Sequence, residues 1–358
     1  MEKEIFIKYL HGAVQLHASD IHFKVGSPTC YRLQKVLRPV KGEPLTSADT
    51  LSICQHIVVD EEILKKLDRV QDYDTSYSLP GVCRFRVNIF RQRGALSLVL
   101  RTIPQNIPSF EDLLLPPQVK DLAEYTRGLV LITGSAGTGK SSTLAAIINH
   151  INETRQAHVV TIEDPIEFLH KDNHCVISQR EVGVDTVDFN KALRAALRQD
   201  PDVILVGEMR DLETIDIALK ASETGHMVYS TVHTPDAAKT IGRLIAVFPP
   251  NEQEMVRIRL AENLKATLSQ RLLPRADGKG MVVALELMKV TGTMEDYIKD
   301  AERSGALKDI IEKGRQQYGM ISFDQCLTDL YKGELITLDT AKRFATSPGD
   351  FERALHFD

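Results

Sequence analysis

The sequence predicts an α/β protein with two domains, and three observations support this fold class. The chain has 358 residues, which is enough for two domains that each bury a core. From Gly128 onward, short apolar runs alternate with helical stretches, as in a parallel sheet covered on both faces. A proline-punctuated segment separates this region from a mixed α/β module. We predict an N-terminal domain over residues 1–103, a linker over 104–117 and a second domain over 118–358.

The composition is that of a soluble globular protein, with 43% apolar and 26% charged residues. A net charge of −5 and a pI of about 6.1 argue against a general nucleic-acid coat. No window approaches the roughly 18 consecutive apolar residues of a membrane-spanning helix. The charged N-terminus predicts no signal peptide, and the five scattered cysteines predict reduced thiols without a disulfide framework or zinc site. We therefore expect a cytoplasmic protein.

The first hundred residues contain one helical pattern and several strand patterns. The apolar residues that suggest an N-terminal helix are Ile5, Leu10 and Val14. An alternating segment follows at Asp20–Phe23, and two longer strands are predicted at Arg84–Phe90 and Leu96–Arg101. Because a short glycine-containing connection joins the two longer strands, we predict a β-hairpin there.

The second domain begins with a series of buried strands. The predicted strands are Leu129–Thr133, Val159–Ile162, Val203–Val206 and Met227–Thr231. Helical stretches at Asn190–Arg198 and Asp211–Thr224 lie between them. Beyond about residue 255 we predict a largely helical region.

The strongest motif is Gly134–Ser141, which fits G-x-x-x-x-G-K-[ST] between an apolar strand and a helix predicted at Ser142–Ile151. Glycines let backbone N–H groups surround phosphates, and the helix N-terminus adds partial positive charge. Lys140 would bridge two phosphate groups, and the Ser141 hydroxyl would ligate Mg²⁺. The candidate nucleotide-binding residues are Ser135, Ala136, Gly137, Thr138, Gly139, Lys140, Ser141 and Ser142.

A second motif is the apolar strand that ends in Gly207 and Glu208. Such a strand places its terminal acid at the carboxyl edge of the sheet, beside the phosphate-binding loop, where Mg²⁺ is held. The alternative is an ordinary strand that ends in a solvated glutamate. The position of this strand some 60 residues after the loop favours a metal-binding role for Glu208.

Two further strand ends contain candidate residues. Thr161–Glu167 places three acids behind a buried strand, and one of them could orient the attacking water. The alternative for this segment is a polar loop opened by Pro165. His226 and His233 bracket another apolar strand. Histidines at strand ends are usually structural, but the convergence of strands makes His233 a candidate sensor of the γ-phosphate.

These blocks, in this order, resemble the secretion-ATPase superfamily, the hexameric motors of type IV pili and type II secretion. The likeness is closest to the retraction branch that contains PilT and PilU. The matching segments are the Walker A motif (Gly134–Ser141), the aspartate box (Thr161–Glu167), the atypical Walker B motif (Leu205–Asp211), the histidine box (Gly225–Thr234), the N-terminal Ala18–His22 and Arg84–Asn88, and the C-terminal Gly319–Met320, Phe323–Gln325 and Ser347–Phe351. The resemblance extends over nearly the whole chain.

The resemblance implies a PAS-like N-terminal domain and a RecA-like ATPase domain with a helical C-terminal extension. It implies a homohexamer that hydrolyses ATP with Mg²⁺ and converts domain rotation into pilin disassembly and twitching motility. Glu163 is favoured as general base, although Glu208 stays open for that role. Arg84, Arg86 and Arg101 match positions from which the first domain supplies positive charge to the phosphates. The alternative for these arginines is a solvated sheet face.

The resemblance also implies partners. These are an inner-membrane pilus platform protein on the cytoplasmic face and a paralogous retraction ATPase, with no nucleic acid. The absence of the long N-terminal extension and tetracysteine module of extension motors favours retraction. Tyr297–Gly305 aligns with a helix of the retraction branch but lacks its Leu-Ile pair, which leaves an accessory, PilU-like subunit open. A nucleotide-regulated binding module with little turnover is another alternative, while the acidic pI counts against a nucleic-acid translocase.

Overall fold

The computed structural model describes residues 1–104 and 106–357, which form two compact units. Unit 1 comprises Met1–Asn106 with Glu167–Leu169, and unit 2 comprises Ile107–Ile166 with His170–Asp358. Residue 105 of the predicted linker and residue 358 of the predicted second domain lie outside the described residues. Phe110 and Leu115, within the predicted linker, pack in a core of unit 2. The domain and linker boundaries themselves stay a prediction.

Unit 1 contains an antiparallel sheet flanked by helices. Its helices are α1 (Lys3–Gln15), α2 (Ser47–Ile57) and α3 (Glu61–Leu64). Its strands are β1 (Asp20–Phe23), β2 (Cys30–Leu33), β3 (Val36–Pro39), β4 (Asp72–Leu79), β5 (Cys83–Gln92) and β6 (Ala95–Thr102). Among the described residues the strand order is β3-β2-β1-β6-β5-β4, and neighbouring strands are antiparallel.

The predicted helix, the first strand and the hairpin of unit 1 are confirmed. Helix α1 buries Phe6, Leu10 and Ala13, whereas Ile5, which we expected on the apolar face, is 45% exposed. Strands β5 and β6 are joined by Arg93 and Gly94, whose φ angles of 51° and 82° suit a tight two-residue hairpin turn. Strands β2, β3 and β4 were not predicted.

Unit 2 contains a mostly parallel sheet covered by helices. Its strands are β7 (Gly128–Thr133), β8 (His158–Glu163), β9 (Val176–Glu181), β10 (Val203–Val206), β11 (Met227–Val232), β12 (Leu264–Pro274) and β13 (Met281–Lys289). Its helices are a 3-10 helix (Pro117–Glu124), α4 (Lys140–Thr154), α5 (Phe189–Ala196), α6 (Leu212–Glu223), α7 (Ala237–Ala246), α8 (Gln253–Asn263), α9 (Gly292–Lys299), a 3-10 turn (Ser304–Ala306), α10 (Leu307–Lys313), α11 (Arg315–Tyr318), α12 (Phe323–Lys332), α13 (Leu338–Phe344) and α14 (Pro348–Phe357).

The strand order of this sheet, within the described part of the chain, is β13-β12-β7-β11-β10-β8-β9. Strand β7 lies inside the sheet and every one of its residues is buried. Apolar side chains from alternate positions enter separate cores, so that Val130 and Ile132 pack in one and Leu129 and Leu131 in the other. The four predicted buried strands are therefore confirmed as parallel neighbours. No helix among the described residues is both long enough and apolar enough to cross a membrane.

The prediction of a largely helical region beyond residue 255 is wrong for two segments. Strands β12 and β13 form an antiparallel pair, and β12 also pairs with β7. Both strands are buried over most of their length. Strand β13 is an apolar run without alternation, whereas β12 alternates apolar and polar residues only over Leu264–Ser269, and Gln270 and Arg271 then interrupt the pattern. Leucine, alanine and methionine in such runs suit a buried helix as well as a buried strand, and periodicity cannot distinguish the two.

The expected helix over Tyr297–Gly305 is also wrong as a single element. Helix α9 ends at Lys299, and Asp300 adopts an extended backbone with φ −94° and ψ 113°. The Asp300 carboxylate accepts a hydrogen bond from the backbone N–H of Glu302 at 2.9 Å. Aspartate offers the backbone such local alternatives to a helix, and this contact explains the break.

Candidate active site

The predicted motifs of unit 2 lie at one edge of the parallel sheet. Strand register pairs Thr133 with Val232 and Val206 with both Ser230 and Ile162. The segments that follow these strands therefore start at the same carboxyl edge. Strand β11 separates β7 from β10, so His233 follows the strand next to the phosphate-binding loop and Glu208 follows the strand beyond it.

The loop between β7 and α4 has the backbone of a phosphate-binding loop. Gly134, Gly137 and Gly139 have φ angles of 142°, 76° and 88°, which side-chain-bearing residues rarely adopt. A Cβ at Gly134 would lie 2.6 Å from the carbonyl oxygen of Gln270, so only glycine fits between the loop and β12. Helix α4 begins directly after the loop and presents its N-terminal N–H groups there.

Lys140 is held inside this loop. Its side chain is 8% exposed, and its ammonium donates hydrogen bonds to the carbonyl oxygens of Gly134 and Ser135, each at 2.9 Å. The Thr138 hydroxyl also donates to the Ser135 carbonyl, at 2.9 Å. The other predicted nucleotide-binding residues divide into exposed ones (Ser135, Ala136, Gly137) and half-buried ones (Gly139, Ser141, Ser142).

Strand β12 supports the loop and the start of α4 from behind. Thr133 donates a hydrogen bond to the Ser269 hydroxyl at 3.0 Å, and the Gln270 amide donates to the Thr143 hydroxyl at 2.7 Å. All four side chains are buried. Sequence reasoning missed Ser269 and Gln270 because it placed them in a helical region.

Glu208 contacts two side chains that can be cationic. Its Oε2 lies 2.6 Å from Arg210 Nη2, and its Oε1 lies 3.3 Å from His233 Nε2. Burial, the largest single effect, opposes ionisation of Glu208. The hydrogen bond from Arg210 and the positive charges of His233 and Arg210 together outweigh burial and lower the pKa of Glu208. Arg210 was not singled out from the sequence.

Glu163 lies at the end of β8 and accepts hydrogen bonds from two side chains of this sheet. The Thr161 hydroxyl donates to Glu163 Oε1 at 2.6 Å, and the Gln179 amide donates to the same oxygen at 3.1 Å. Thr161 precedes Glu163 by two residues, and Gln179 is the register partner of Thr161 on β9. The three side chains therefore lie on one face of the sheet. Sequence reasoning did not predict β9 and missed Gln179.

The three predicted arginines lie on one face of the sheet in unit 1. Arg84 and Arg86 are two residues apart on β5, and Arg101 is the register partner of Arg86 on β6. Arg84 donates to the hydroxyls of Ser76 and Ser78 at 2.7 and 2.9 Å. Arg101 Nε donates to Asp20 at 3.0 Å, while Arg86 is exposed.

The carboxyl edge of unit 2 fits a nucleoside triphosphate with Mg²⁺. The positive-φ glycines and the α4 N-terminus form a cradle for phosphates, with the Lys140 ammonium inside it. Ser141 and Glu208 offer hydroxyl and carboxylate oxygens, which are the ligand types Mg²⁺ prefers together with water and phosphate. The donor set is therefore chemically suited to both groups.

Comparisons with known proteins agree with this site. Residues 1–341 match the family described as Type II/IV secretion system protein. The chain belongs to this family. A Pseudomonas aeruginosa relative named Type IV pilus retractation ATPase PilT is 42% identical over 334 residues, covering 93% of this chain and 96% of the relative. The Type IV pilus ATPase PilU of the same organism is 38% identical over 347 residues, covering 96% and 90%.

A solved structure resembles the whole chain. The crystal structure described as the pilus retraction motor PilT with bound ADP matches with a TM-score of 0.86 and 43% identity, covering 99% of both chains. This likeness confirms the predicted fold class, an N-terminal α/β domain followed by a RecA-like ATPase domain. The chain is a P-loop ATPase.

Proposed function

We propose that this chain is a motor ATPase for the retraction of type IV pili, and that it works as a homohexamer with Mg²⁺. The observation that carries the proposal is a phosphate-binding loop and two acidic strand ends at one sheet edge, in a chain that matches a PilT protein over 93% of its length. The crystal structure of a PilT protein with bound ADP supports nucleotide use at this fold. The motor would act on a pilus platform at the cytoplasmic face of the inner membrane, where hydrolysis drives pilin disassembly.

Nucleotide binding is assigned to the loop. Lys140 would exchange its bonds to loop carbonyls for bonds to β- and γ-phosphate oxygens, and backbone N–H groups from Ser135 to Ser142 would surround the phosphates. Mg²⁺, held by the Ser141 hydroxyl and by Glu208 directly or through water, would neutralise charge that develops on the phosphates. To reach the metal, Glu208 would have to loosen its contact with Arg210.

Glu163 is the proposed general base. Arg210 and His233 contact both carboxylate oxygens of Glu208, and the lowered pKa of Glu208 makes it a weaker proton acceptor. Glu163 has an oxygen oriented by Thr161 and Gln179. We assign Glu163 to take the proton of the attacking water and His233 to report the γ-phosphate through its contact with Glu208.

The arginines of unit 1 are the proposed source of additional positive charge. Arg86 has an exposed guanidinium, whereas Arg84 and Arg101 are oriented by serine hydroxyls and Asp20. In an assembled ring these groups would neutralise phosphate charge in the transition state.

Deletion of the gene in a piliated host tests the proposed function. We expect abundant surface pili and no twitching, because assembly continues while retraction fails. Complementation with Lys140→Ala should fail, and complementation with Lys279→Ala, which alters an exposed loop, should succeed. Loss of pili on deletion would contradict retraction and indicate an extension motor. Retraction that persists at low load would indicate an accessory subunit, and a pure protein without steady ATPase activity would indicate a binding module.

A further inference from the structure

Gln179 connects the proposed general base to a loop on the same unit. Its amide nitrogen donates to Glu163 Oε1 at 3.1 Å, and its Oε1 accepts a hydrogen bond from the backbone N–H of His170 at 2.8 Å. The Gln179 side chain is half-buried and lies within the outermost strand of the sheet, β9. Neither the phosphate-binding loop nor the metal ligands proposed above require this residue.

The contact with His170 determines which way the amide points. A backbone N–H can only donate, so the end of the Gln179 amide that faces His170 must be the carbonyl oxygen. The NH₂ group therefore faces Glu163. An amide N–H in this position hydrogen-bonds the ionised carboxylate more strongly than the neutral acid.

We propose that Gln179 is a positioning residue for Glu163, which holds the carboxylate in its ionised form and in the orientation needed to accept a proton. The proposal rests on the proposed role of Glu163 as general base. Thr161 and Gln179 donate to the same oxygen from two directions, one along β8 and one across from β9. Two donors on one oxygen restrict rotation of the carboxylate about its terminal bond. Because proton transfer depends on this geometry, Gln179 affects the chemical step and leaves the phosphate cradle untouched.

Gln179→Leu removes the donor while it keeps a side chain of similar size. We expect kcat of the full-length ring to fall by about 10- to 100-fold, the range for loss of a hydrogen bond to a charged group. The KM for ATP should stay within about twofold, because the loop that binds phosphate is unchanged. The acid limb of the pH profile of kcat should move to higher pH, since protonated Glu163 is then less disfavoured.

Gln179→Glu sharpens the experiment because it is isosteric. The new carboxylate can still accept the His170 N–H, but it repels Glu163, so the acid limb should move further toward high pH than in Gln179→Leu. Ser178→Ala is the matched control. Ser178 precedes Gln179 on β9, points to the opposite face and contacts His158 Nε2 at 3.1 Å. This control should keep kcat and the pH profile of the parent, and thermal unfolding of all three variants reports whether each is folded.

A double-mutant cycle tests the role of Gln179 as positioning residue separately from the role of Glu163 as general base. In a Glu163→Gln background, Gln179→Leu should cause no further loss in single-turnover rate if it acts through Glu163. An equal loss in both backgrounds would overturn the positioning role. So would folded Gln179 variants with parental kcat and pH profile while Glu163→Gln is inactive. Near-normal activity of Glu163→Gln would instead overturn the proposed base, and the positioning role with it.

Discussion

Each unit contains a carboxylate that contacts two basic side chains, and the two arrangements differ in position. In unit 1, Asp20 lies within a strand, with an 8% exposed side chain, between Arg101 at 3.0 Å and Arg32 at 3.4 Å. In unit 2, Glu208 follows the end of a parallel strand, with a 16% exposed side chain, between Arg210 at 2.6 Å and His233 at 3.3 Å.

The difference in position indicates, for each unit, whether the carboxylate or the basic side chains beside it take part in the chemistry. A carboxylate inside an antiparallel sheet is fixed by its neighbours and serves to orient the arginines beside it. A carboxylate past the carboxyl end of a parallel strand faces the region where ligands bind in such sheets. We infer that the arginines of unit 1 and the carboxylates of unit 2 are the functional groups.

Lys140→Ala should have the largest effect on ATP hydrolysis of all the substitutions. Without the ammonium, phosphate charge is not neutralised, and ATP hydrolysis should fall below detection at saturating ATP. The measurement is steady-state phosphate release by the purified ring. The fold should persist, which circular dichroism and the Lys279→Ala control check. If the variant retained more than a small fraction of turnover, the assignment of the phosphate-binding loop as the nucleotide site would be wrong.

Arg86→Ala is the sharpest test of unit 1. Arginines that stabilise phosphoryl transfer contribute about 10³- to 10⁵-fold in rate, so kcat should fall by that order. Because Arg86 is exposed, the melting temperature should not change. Arg38→Ala is the control, since Arg38 is exposed on β3 of the same sheet. Arg101→Ala would not separate activity from stability, because it also removes a partner from the buried Asp20.

Full activity of Arg86→Ala would contradict a functional role for the arginines of unit 1. The arginines would then form a solvated sheet face, and Asp20 would be a purely structural carboxylate. Loss of activity in both Arg86→Ala and Arg38→Ala would instead indicate a general effect of positive charge on this sheet.

Glu163→Gln and Glu208→Gln separate the two carboxylates of unit 2. Removal of a general base costs about 10²- to 10⁴-fold, so Glu163→Gln should still bind ATP and lose hydrolysis by that factor. Glu208→Gln should raise the Mg²⁺ concentration required for half-maximal rate more than it weakens ATP binding. Titrations of ATP and Mg²⁺ with each variant provide the measurement. If Glu208→Gln traps bound ATP while Glu163→Gln turns over normally, the two roles are reversed.

Some strands of the molecule could be predicted from the sequence and others could not, and the difference has physical reasons. Strands β7, β8, β10 and β11 are short, mostly apolar runs that end at a glycine, an acid or a histidine, so both the strands and the residues at their ends were predicted. Strand β4 reads DYDTSYSL and has few apolar residues because most of it is partly exposed. Strand β12 alternates apolar and polar residues over Leu264–Ser269, but Gln270 and Arg271 interrupt the pattern, and it was placed in a helical region.

The same limits apply to the candidate site. Lys140 and Ser141 belong to a motif whose spacing itself specifies the chemistry. Gln179 and Gln270 act through contacts with other elements, namely Glu163 and Thr143, and a lone glutamine has no distinctive spacing. The arginines of β5 and β6 could be proposed from resemblance, but alternate polar residues are ordinary on any half-exposed strand.

Arg210→Met should have the smallest effect, and it tests the cationic partners in unit 2. The pKa of Glu208 is lowered from its ordinary value of 4.5, so its ionised form stabilises the fold above that pH, and this contribution is lost as pH falls through the lowered pKa. Arg210 is 69% exposed, so its removal should lower the free energy of unfolding by only about 0.2–1 kcal/mol at pH 7. Denaturant unfolding at pH 7 and pH 3 should show this difference shrinking in acid. Arg198→Met removes an exposed arginine that donates to a carbonyl oxygen, and it should show no such pH dependence. A difference for Arg210→Met that is equal at both pH values would mean that Arg210 stabilises by packing, and that Glu208 is not the carboxylate through which it acts.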